Sequence, residues 1–135
     1  MYCIGTGKLE HGFRISVVLD EDSRFILGYA IGKFHKARIK NGEKCSELEN
    51  AAIKSANEVA LEYGLESIND PQKSVKVSSF FSSLKTECID GLYCETEDEL
   101  QQFIGEYLKY YNFERLHSGL RYNTPYEVLQ SKIMK

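Results

Sequence analysis

The sequence is poor in several features that mark particular classes of protein. It has no tryptophan and only two prolines in 135 residues, and its four cysteines, at positions 3, 45, 88 and 94, form no Cys-x-x-Cys pair. No histidine lies at zinc-ligand spacing from another ligand, so neither a zinc finger nor a disulfide framework is predicted. Reduced thiols and a cytoplasmic location are the simplest expectation.

Long hydrophobic runs are also missing. No apolar stretch approaches the roughly 20 residues that span a membrane, and the first residues show no basic segment followed by a long apolar run. We therefore expect no membrane partner. The remaining composition, 42% hydrophobic and 27% charged, is typical of a globular protein. A length of 135 residues favours a single domain, residues 1–135.

An excess of positive charge is the third absence, because the formal net charge is −3 and the sequence pI is about 5.7. A protein that binds nucleic acid through bulk charge would be basic. The charge is uneven, however, since basic residues gather between Lys33 and Lys44 and five more lie between Lys109 and Lys135. DNA binding would therefore depend on local patches. The Lys33–Lys44 segment could follow a DNA backbone, although a solvated loop is the simpler interpretation.

Three short runs near the N-terminus predict β-strands. Phe13–Leu19 is rich in β-branched residues, and Arg24–Ile31 is apolar on both faces, as a central strand would be. A further short strand is expected within residues 2–8. The turns between these runs are too short for a crossover helix, so we expect an antiparallel meander.

A helix with a face of small residues should follow. Ser46 and Glu49 have the spacing of a capping box, and the helix should run to Tyr63, with Gly64 as its stop. Alanines dominate the apolar face between these ends, and such a face allows a helix to lie close against a sheet.

The C-terminal part combines helical periods with an aromatic and basic segment. Thr96 and Glu99 have capping-box spacing, and Thr124 followed by Pro125 predicts the start of a last helix. Between these two points lies YYNFERLHSGLRYNTPYE. The predicted helices of the whole chain lie near 46–63, 77–88, 97–111 and 125–133.

This segment carries a resemblance to a known family. SSFFSSLKTE followed by YYNFERLHSGLRYNTPYEVL resembles the end of the integrase-type catalytic domain of bacterial insertion-sequence transposases. Members of that family read E-S-F-F-x-x-L-K-x-E and then Y-N-x-x-R-x-H-S-x-L-x-Y-x-T-P-x-E. The second motif is represented here by Tyr111, Asn112, Arg115, His117, Ser118, Leu120, Tyr122, Thr124, Pro125 and Glu127. The segment from Val17 to Ile31 is similar to the family's second and third strands, with Asp20, Ser23, Arg24 and Gly28 at recurring positions.

The resemblance implies an α/β fold of the ribonuclease-H-like integrase-core type. The fold should be reduced to a three-stranded antiparallel meander with about four helices. Blocks 2–63 and 77–133 match the family, while residues 65–76 form a linker where relatives have a fourth strand and further residues, so the chain looks truncated and internally shortened. We therefore expect the meander to keep an edge that is open, covered by the 65–77 linker, or paired with a second copy.

The catalytic residues implied by the resemblance are not all present. The family cuts and joins DNA with two Mg²⁺ ions held by an Asp, Asp, Glu triad. The first Asp would fall at or just before Met1, the Glu position holds Ser78, and Asp70 is a weak candidate for the second Asp. We therefore expect no catalytic residue, no metal ligand and no cofactor. Asp20 is interpreted as a turn residue whose carboxylate accepts backbone hydrogen bonds.

The expected function is that of a protein derived from a transposase or integrase core. It would be catalytically inactive and would bind at most DNA, a second copy of itself or an intact transposase. Two alternatives stay open. The first is an active metal-dependent DNA strand-transferase or nuclease that uses displaced carboxylates, Asp20, Asp22 or Glu87. The second is an α/β scaffold with no role on nucleic acid.

The candidate DNA contacts are basic or aromatic residues of the C-terminal part. His117 could contact phosphate or could be structural, and the aromatic side chains could stack on bases or pack in the core. The aromatic candidates are Tyr110, Tyr111 and Phe113. The predicted nucleic-acid-binding residues are Lys85, Lys109, Arg115, His117 and Arg121.

Overall fold

The N-terminal part of the chain forms an antiparallel meander. A computed structural model describes residues 2–9, 12–33, 43–69, 71–90 and 96–134. The strands are β1 (Tyr2–Lys8), β2 (Phe13–Asp20) and β3 (Ile26–Lys33). They pair antiparallel in the order β1-β2-β3, which confirms the predicted meander but places β2 at its centre, so the strand predicted over Arg24–Ile31 is an edge strand. The basic segment predicted between Lys33 and Lys44 lies mostly outside the described residues.

Four α-helices accompany the sheet within the described residues. They are α1 (Glu43–Glu62), α2 (Val75–Leu84), α3 (Glu97–Phe113) and α4 (Pro125–Ile133). A π-helical turn, Lys85–Ile89, continues α2, and a short 3₁₀ turn, Ser118–Leu120, precedes α4. The architecture is α/β and matches the reduced ribonuclease-H-like core that the resemblance implied. No helix in the described part of the chain combines the length and hydrophobicity needed to cross a membrane.

Local capping explains where most of these helices begin. Thr96 Oγ1 accepts a hydrogen bond from the Glu99 amide at 3.2 Å. At α4 both halves of the capping box form, since the Glu127 amide donates to Thr124 Oγ1 at 3.1 Å and Glu127 Oε1 accepts from the Thr124 amide at 3.0 Å. Both predicted starts are therefore confirmed.

The first two helices begin earlier than predicted. Helix α1 starts at Glu43 rather than at Ser46, because capping-box spacing marks a start only where the preceding residues cannot be helical, and these residues have ordinary helix propensity. Helix α2 starts at Val75, where Ser74 is the N-cap and its hydroxyl accepts from the Lys76 amide. Helix α1 ends at Glu62, one residue before the predicted Tyr63, and Gly64 follows with φ +72°, as its predicted role as the stop requires.

The sheet has a hydrophobic core on each face. One core joins the sheet to α2 and α3 through side chains such as Ile15, Phe80 and Tyr111. The other joins it to α1 and α4. Helix α1 lies so close to β3 that a Cβ added at Gly28 would fall 2.6 Å from Ala56 Cα. This confirms that the face of small residues allows close packing.

Both edges of the meander are engaged by other parts of the chain. The Ile4 amide donates to the Gln72 carbonyl and the Gln72 amide donates to the Tyr2 carbonyl, each at 2.9 Å, in a parallel bridge. The linker therefore covers the β1 edge, which is one of the three predicted outcomes. At β3, Asn112 Oδ1 accepts from the Ile26 amide at 2.8 Å and Asn112 Nδ2 donates to the Ile26 carbonyl at 3.0 Å. The Asn112 side chain thus pairs with Ile26 as a neighbouring strand would.

Candidate nucleic-acid interface

A bidentate ion pair joins the π-helical turn to the residues after α3. Glu87 Oε2 accepts from Arg115 Nη2 at 2.6 Å, and Glu87 Oε1 accepts from Arg115 Nε at 2.8 Å and from Tyr107 Oη at 3.0 Å. These hydrogen bonds favour the carboxylate, so the pKa of Glu87 is lowered and that of Arg115 is raised. Burial and the same carboxylate raise the pKa of Tyr107.

The π-helical turn determines where Glu87 lies. The Asp90 amide donates to the Lys85 carbonyl at 2.8 Å, a bond between residues five apart. This wider turn changes the direction of the side chains relative to a continuous α-helix. The sequence predicted one uninterrupted helix near 77–88, and its periodicity contains no signal for the change.

His117 is a buried neutral side chain rather than a surface cation. It is 5% exposed, and its ring lies edge-on to Tyr111 with centroids 4.8 Å apart. Arg115 Nη1 lies 3.1 Å from Nδ1 and 3.3 Å from Nε2 of the ring, and the ring accepts because a guanidinium only donates. Burial, with the positive charges of Arg115 and Arg24, lowers the pKa of His117 to about 4. A neutral imidazole brings no charge to a phosphate contact.

The loop after His117 holds two consecutive residues in the left-handed region. Arg121 has φ 55° and Tyr122 has φ 61°, although neither is glycine. The Asn123 amide closes the turn by donating to the Leu120 carbonyl at 3.1 Å, and the Tyr122 amide donates to the His117 carbonyl at 2.8 Å. This turn leaves the side chains of Arg121 and Tyr122 exposed.

A polar cavity of about 380 Å³ lies beside this loop. Arg24 enters it from the turn between β2 and β3, and its backbone has φ 64°. Among the described residues the Arg24 guanidinium has neither a hydrogen bond nor an ion pair. The cavity is lined by Arg24, Ser79, Ser83, Tyr111, Arg115, Leu116, His117, Ser118, Gly119 and Tyr122. Sequence reasoning did not propose Arg24 as a site residue, and its place at a recurring family position was the signal that could have found it.

The structure does not bring the five predicted DNA contacts to one cavity. Arg115 and His117 are brought together in the network around Glu87. Lys85, Lys109 and Arg121 are exposed and line three other cavities. The three exposed cations keep their charge available to an external ligand, whereas Arg115 is paired within the chain.

The three aromatic candidates differ in their packing. Tyr111 is buried in the core against Phe80. Phe113 is 44% exposed, but its ring packs 4.8 Å from that of Tyr126. Tyr110 is 42% exposed. Tyr111 is therefore a core residue, and Tyr110 and Phe113 keep partly open faces.

The displaced carboxylates have partners within the chain. Asp20 is 1% exposed, and its Oδ2 accepts from the amide and the hydroxyl of Ser23 at 3.0 and 2.7 Å. Its Oδ1 accepts from Lys132 Nζ at 2.9 Å, and Lys132 Nζ also reaches Asp22 Oδ2 at 3.1 Å. The interpretation of Asp20 as a turn residue is confirmed.

The described residues do not fit the two-metal centre that the resemblance implies. Ser78 is exposed on α2 at the position of the family's Glu, while Met1 and Asp70 lie outside the described residues. Within the described part of the chain, no three or more His, Cys, Asp or Glu side chains are grouped so that they could hold a metal ion.

The C-terminal part of the chain matches known proteins. Residues 78–130 match the protein family described as Integrase core domain. A "Transposase for insertion sequence element IS904" from Lactococcus lactis subsp. lactis (strain IL1403) is 40% identical over 57 residues, which are 42% of this chain and 22% of that protein. An "Uncharacterized transposase-like protein" from Haemophilus influenzae is 45% identical over 49 residues, which are 36% of this chain and 23% of that protein. The chain thus spans less than a quarter of the length of these curated relatives, and the correspondence predicted for block 2–63 lies outside the family match.

Proposed function

We propose that this protein is a transposase-core derivative that binds DNA without cutting or joining it, because residues 78–130 match the integrase core domain and are similar to transposase sequences. Binding to a second copy or to an intact transposase is part of the same proposal. The protein would occupy or organise DNA and leave the chemistry to another chain.

The observation that carries the proposal is the pairing of the carboxylates. Asp20, Asp22 and Glu87, the acidic residues that could replace a lost triad, are each ion-paired with a cation of the same chain. A pair of Mg²⁺ ions needs several carboxylates that converge on one point. Recruiting Asp20 would also remove its hydrogen bonds to the Ser23 turn.

A plasmid assay tests the absence of catalysis. Supercoiled plasmid incubated with purified protein and Mg²⁺ or Mn²⁺ should stay intact. The Ser78→Glu variant should also be inactive, because one carboxylate on α2 cannot hold two metals. Nicking that copurifies with the protein and disappears in Asp20→Asn or Glu87→Gln would overturn the proposal and favour a displaced catalytic site.

DNA binding is proposed to use the exposed cations Lys85, Lys109 and Arg121. The other two predicted contacts, Arg115 and His117, would meet a phosphate only in the cavity that they line, since Arg115 is ion-paired and His117 is buried. Fluorescence anisotropy of a labelled duplex over a series of salt concentrations measures DNA binding. The logarithm of the affinity should fall linearly with the logarithm of the salt concentration, with a slope of about 0.9 for each phosphate that the protein neutralises.

Single neutralising variants identify the contacts. Lys85→Gln, Lys109→Gln and Arg121→Gln should each weaken binding and reduce the salt slope by about 1. Lys54→Gln is the matched control, since Lys54 is an exposed lysine on α1 outside the predicted set. A protein with no salt-dependent binding would instead fit the α/β scaffold with no nucleic-acid role. Sedimentation of the protein alone tests pairing with a second copy.

A further inference from the structure

We propose that the cavity around Arg24 is a binding site for a single phosphate group. The cavity lies between the β2–β3 turn, helix α2 and the loop before α4, and its volume is about 380 Å³. None of the described residues that line it is acidic, while two are arginines and three are serines. This chemistry selects a small, strongly charged oxyanion.

The Arg24 guanidinium is the main ligand. It has no hydrogen bond or ion pair among the described residues, although a guanidinium carries five N–H donors. A charged group held in a partly buried cavity is ordinarily paired. Its fork of donors matches two oxygens of a phosphate, which makes an anion the natural partner.

The protein holds Arg24 at this place against the usual backbone preference. The φ of Arg24 is 64°, a conformation that favours glycine. The side chain reaches the loop before α4, where a Cβ added at Gly119 would fall 3.0 Å from Arg24 Nη2. A glycine at 119 therefore leaves room for the guanidinium. Strained backbone of this kind is concentrated at functional sites.

The other donors surround the same space. Ser79 and Ser83 lie one helical turn apart on α2, and within the described part of the chain neither hydroxyl has a hydrogen-bond partner. Arg115 donates from Nε and Nη2 to Glu87, which offsets part of the positive charge that Arg115 brings to the cavity wall. Burial is the main cause of the low pKa of the His117 ring, and the charges of Arg115 and Arg24 also lower it while that of Glu87 opposes them, so both arginines lie close to this ring.

The proposal concerns the phosphate group and does not depend on DNA binding. The group could belong to free phosphate or to a DNA backbone, and both offer the same oxygens. The direct test is a titration of the full chain with sodium phosphate, in which the ¹H–¹⁵N NMR signals of the arginine side chains report binding. Sodium chloride at matched ionic strength is the reference.

The expected result is a saturable shift of the Arg24 Nε–H signal with phosphate and not with chloride. Arg24→Gly should lower phosphate affinity about tenfold or more, as expected for loss of a bidentate charged contact. This variant removes the guanidinium while suiting φ 64°, so circular dichroism and urea unfolding should show it to be folded. Ser79→Ala combined with Ser83→Ala should weaken binding about threefold, and Lys54→Gln should leave it unchanged.

A parallel experiment with a labelled DNA duplex identifies the source of the phosphate. If a DNA backbone supplies it, Arg24→Gly also weakens binding to a labelled duplex, and inorganic phosphate competes better than chloride at equal ionic strength. If free phosphate is the ligand, Arg24→Gly abolishes the phosphate response and leaves duplex binding intact. A protein that binds phosphate but no duplex would overturn the proposed function and leave this site standing. The site is refuted if phosphate and chloride act alike on the wild type, or if Arg24→Gly binds phosphate as tightly as the wild type.

Discussion

Mild acid should destabilise the protein through His117. The ring is 5% exposed, packs edge-on against Tyr111 and accepts a hydrogen bond from Arg115. Its pKa in the folded state is about 4, against 6.5 for an unperturbed histidine. Burial is the largest cause, and the charges of Arg115 and Arg24 add to it.

Stability decreases as the pH falls because the unfolded chain binds the proton at His117 more readily than the folded chain does. As the pH falls below 6.5, the unfolded chain protonates His117 while the folded chain keeps the ring neutral. The stability associated with the neutral ring is therefore complete above about pH 6.5 and is lost between pH 6.5 and pH 4. Proton linkage gives a loss of about 2 kcal/mol between pH 7 and pH 5. The contribution of Glu87, whose pKa is lowered by Arg115, is lost only below pH 4.5, outside this window.

Urea unfolding of the wild type and of His117→Gln at pH 7, 6 and 5 measures this loss. Glutamine can still accept a hydrogen bond from Arg115 but does not titrate. Between pH 7 and 5, the free energy of unfolding of the variant should therefore fall by about 2 kcal/mol less than that of the wild type. Comparing the two proteins cancels the other titrating groups. Equal losses in both proteins would refute the argument that His117 is held neutral by burial and by the two arginines.

Urea unfolding at pH 7 tests the remaining predictions. Asn112→Ala should lower the free energy of unfolding by about 2–4 kcal/mol, because it leaves a buried amide and a buried carbonyl of β3 unpaired. Asn57→Ala, which removes the same kind of bond at a partly buried site, should lose about 1–2 kcal/mol. Gly28→Ala should lose about 3 kcal/mol through collision with α1, whereas Gly105→Ala, in the middle of α3, should change stability by less than about 1 kcal/mol. Tyr122→Gly should stabilise the protein by about 1 kcal/mol, because φ 61° suits glycine and the ring is 70% exposed. A free energy of unfolding equal to that of the wild type for Asn112→Ala or Gly28→Ala, or a lower one for Tyr122→Gly, would contradict these assignments.

Local patterns predicted the elements of the fold because their causes are local. Alternating and β-branched residues produced the three strands, and short turns allowed only antiparallel pairing. The caps at Thr96 and Thr124 fixed two helix starts to the residue. The start of α1 was wrong because Ser46 and Glu49 have the spacing of a cap while lying inside the helix.

The site was harder to predict because its causes are tertiary. Neither the π-helical turn that directs Glu87 toward Arg115 nor the backbone angle of Arg24 changes the hydrophobic period of the sequence. The low pKa of His117 comes mainly from burial in the folded chain, and part of it comes from Arg24, which is 93 positions away in the chain but near in space. Charge and motif alone therefore suggested His117 as a DNA contact, while the fold makes it a buried hydrogen-bond acceptor.

The C-terminal motif owes much of its specificity to packing. Asn112 pairs with the backbone of β3, the rings of Tyr111 and His117 pack edge-on in the interior, and Thr124 is the N-cap of α4. Each of these structural contacts requires a particular residue type, even where no ligand binds. The motif positions that face the cavity, such as Ser118, meet Arg24 from the N-terminal part of the chain. A ligand-binding role is therefore favoured where the two parts of the chain converge, since there the Arg24 guanidinium has no hydrogen bond or ion pair among the described residues.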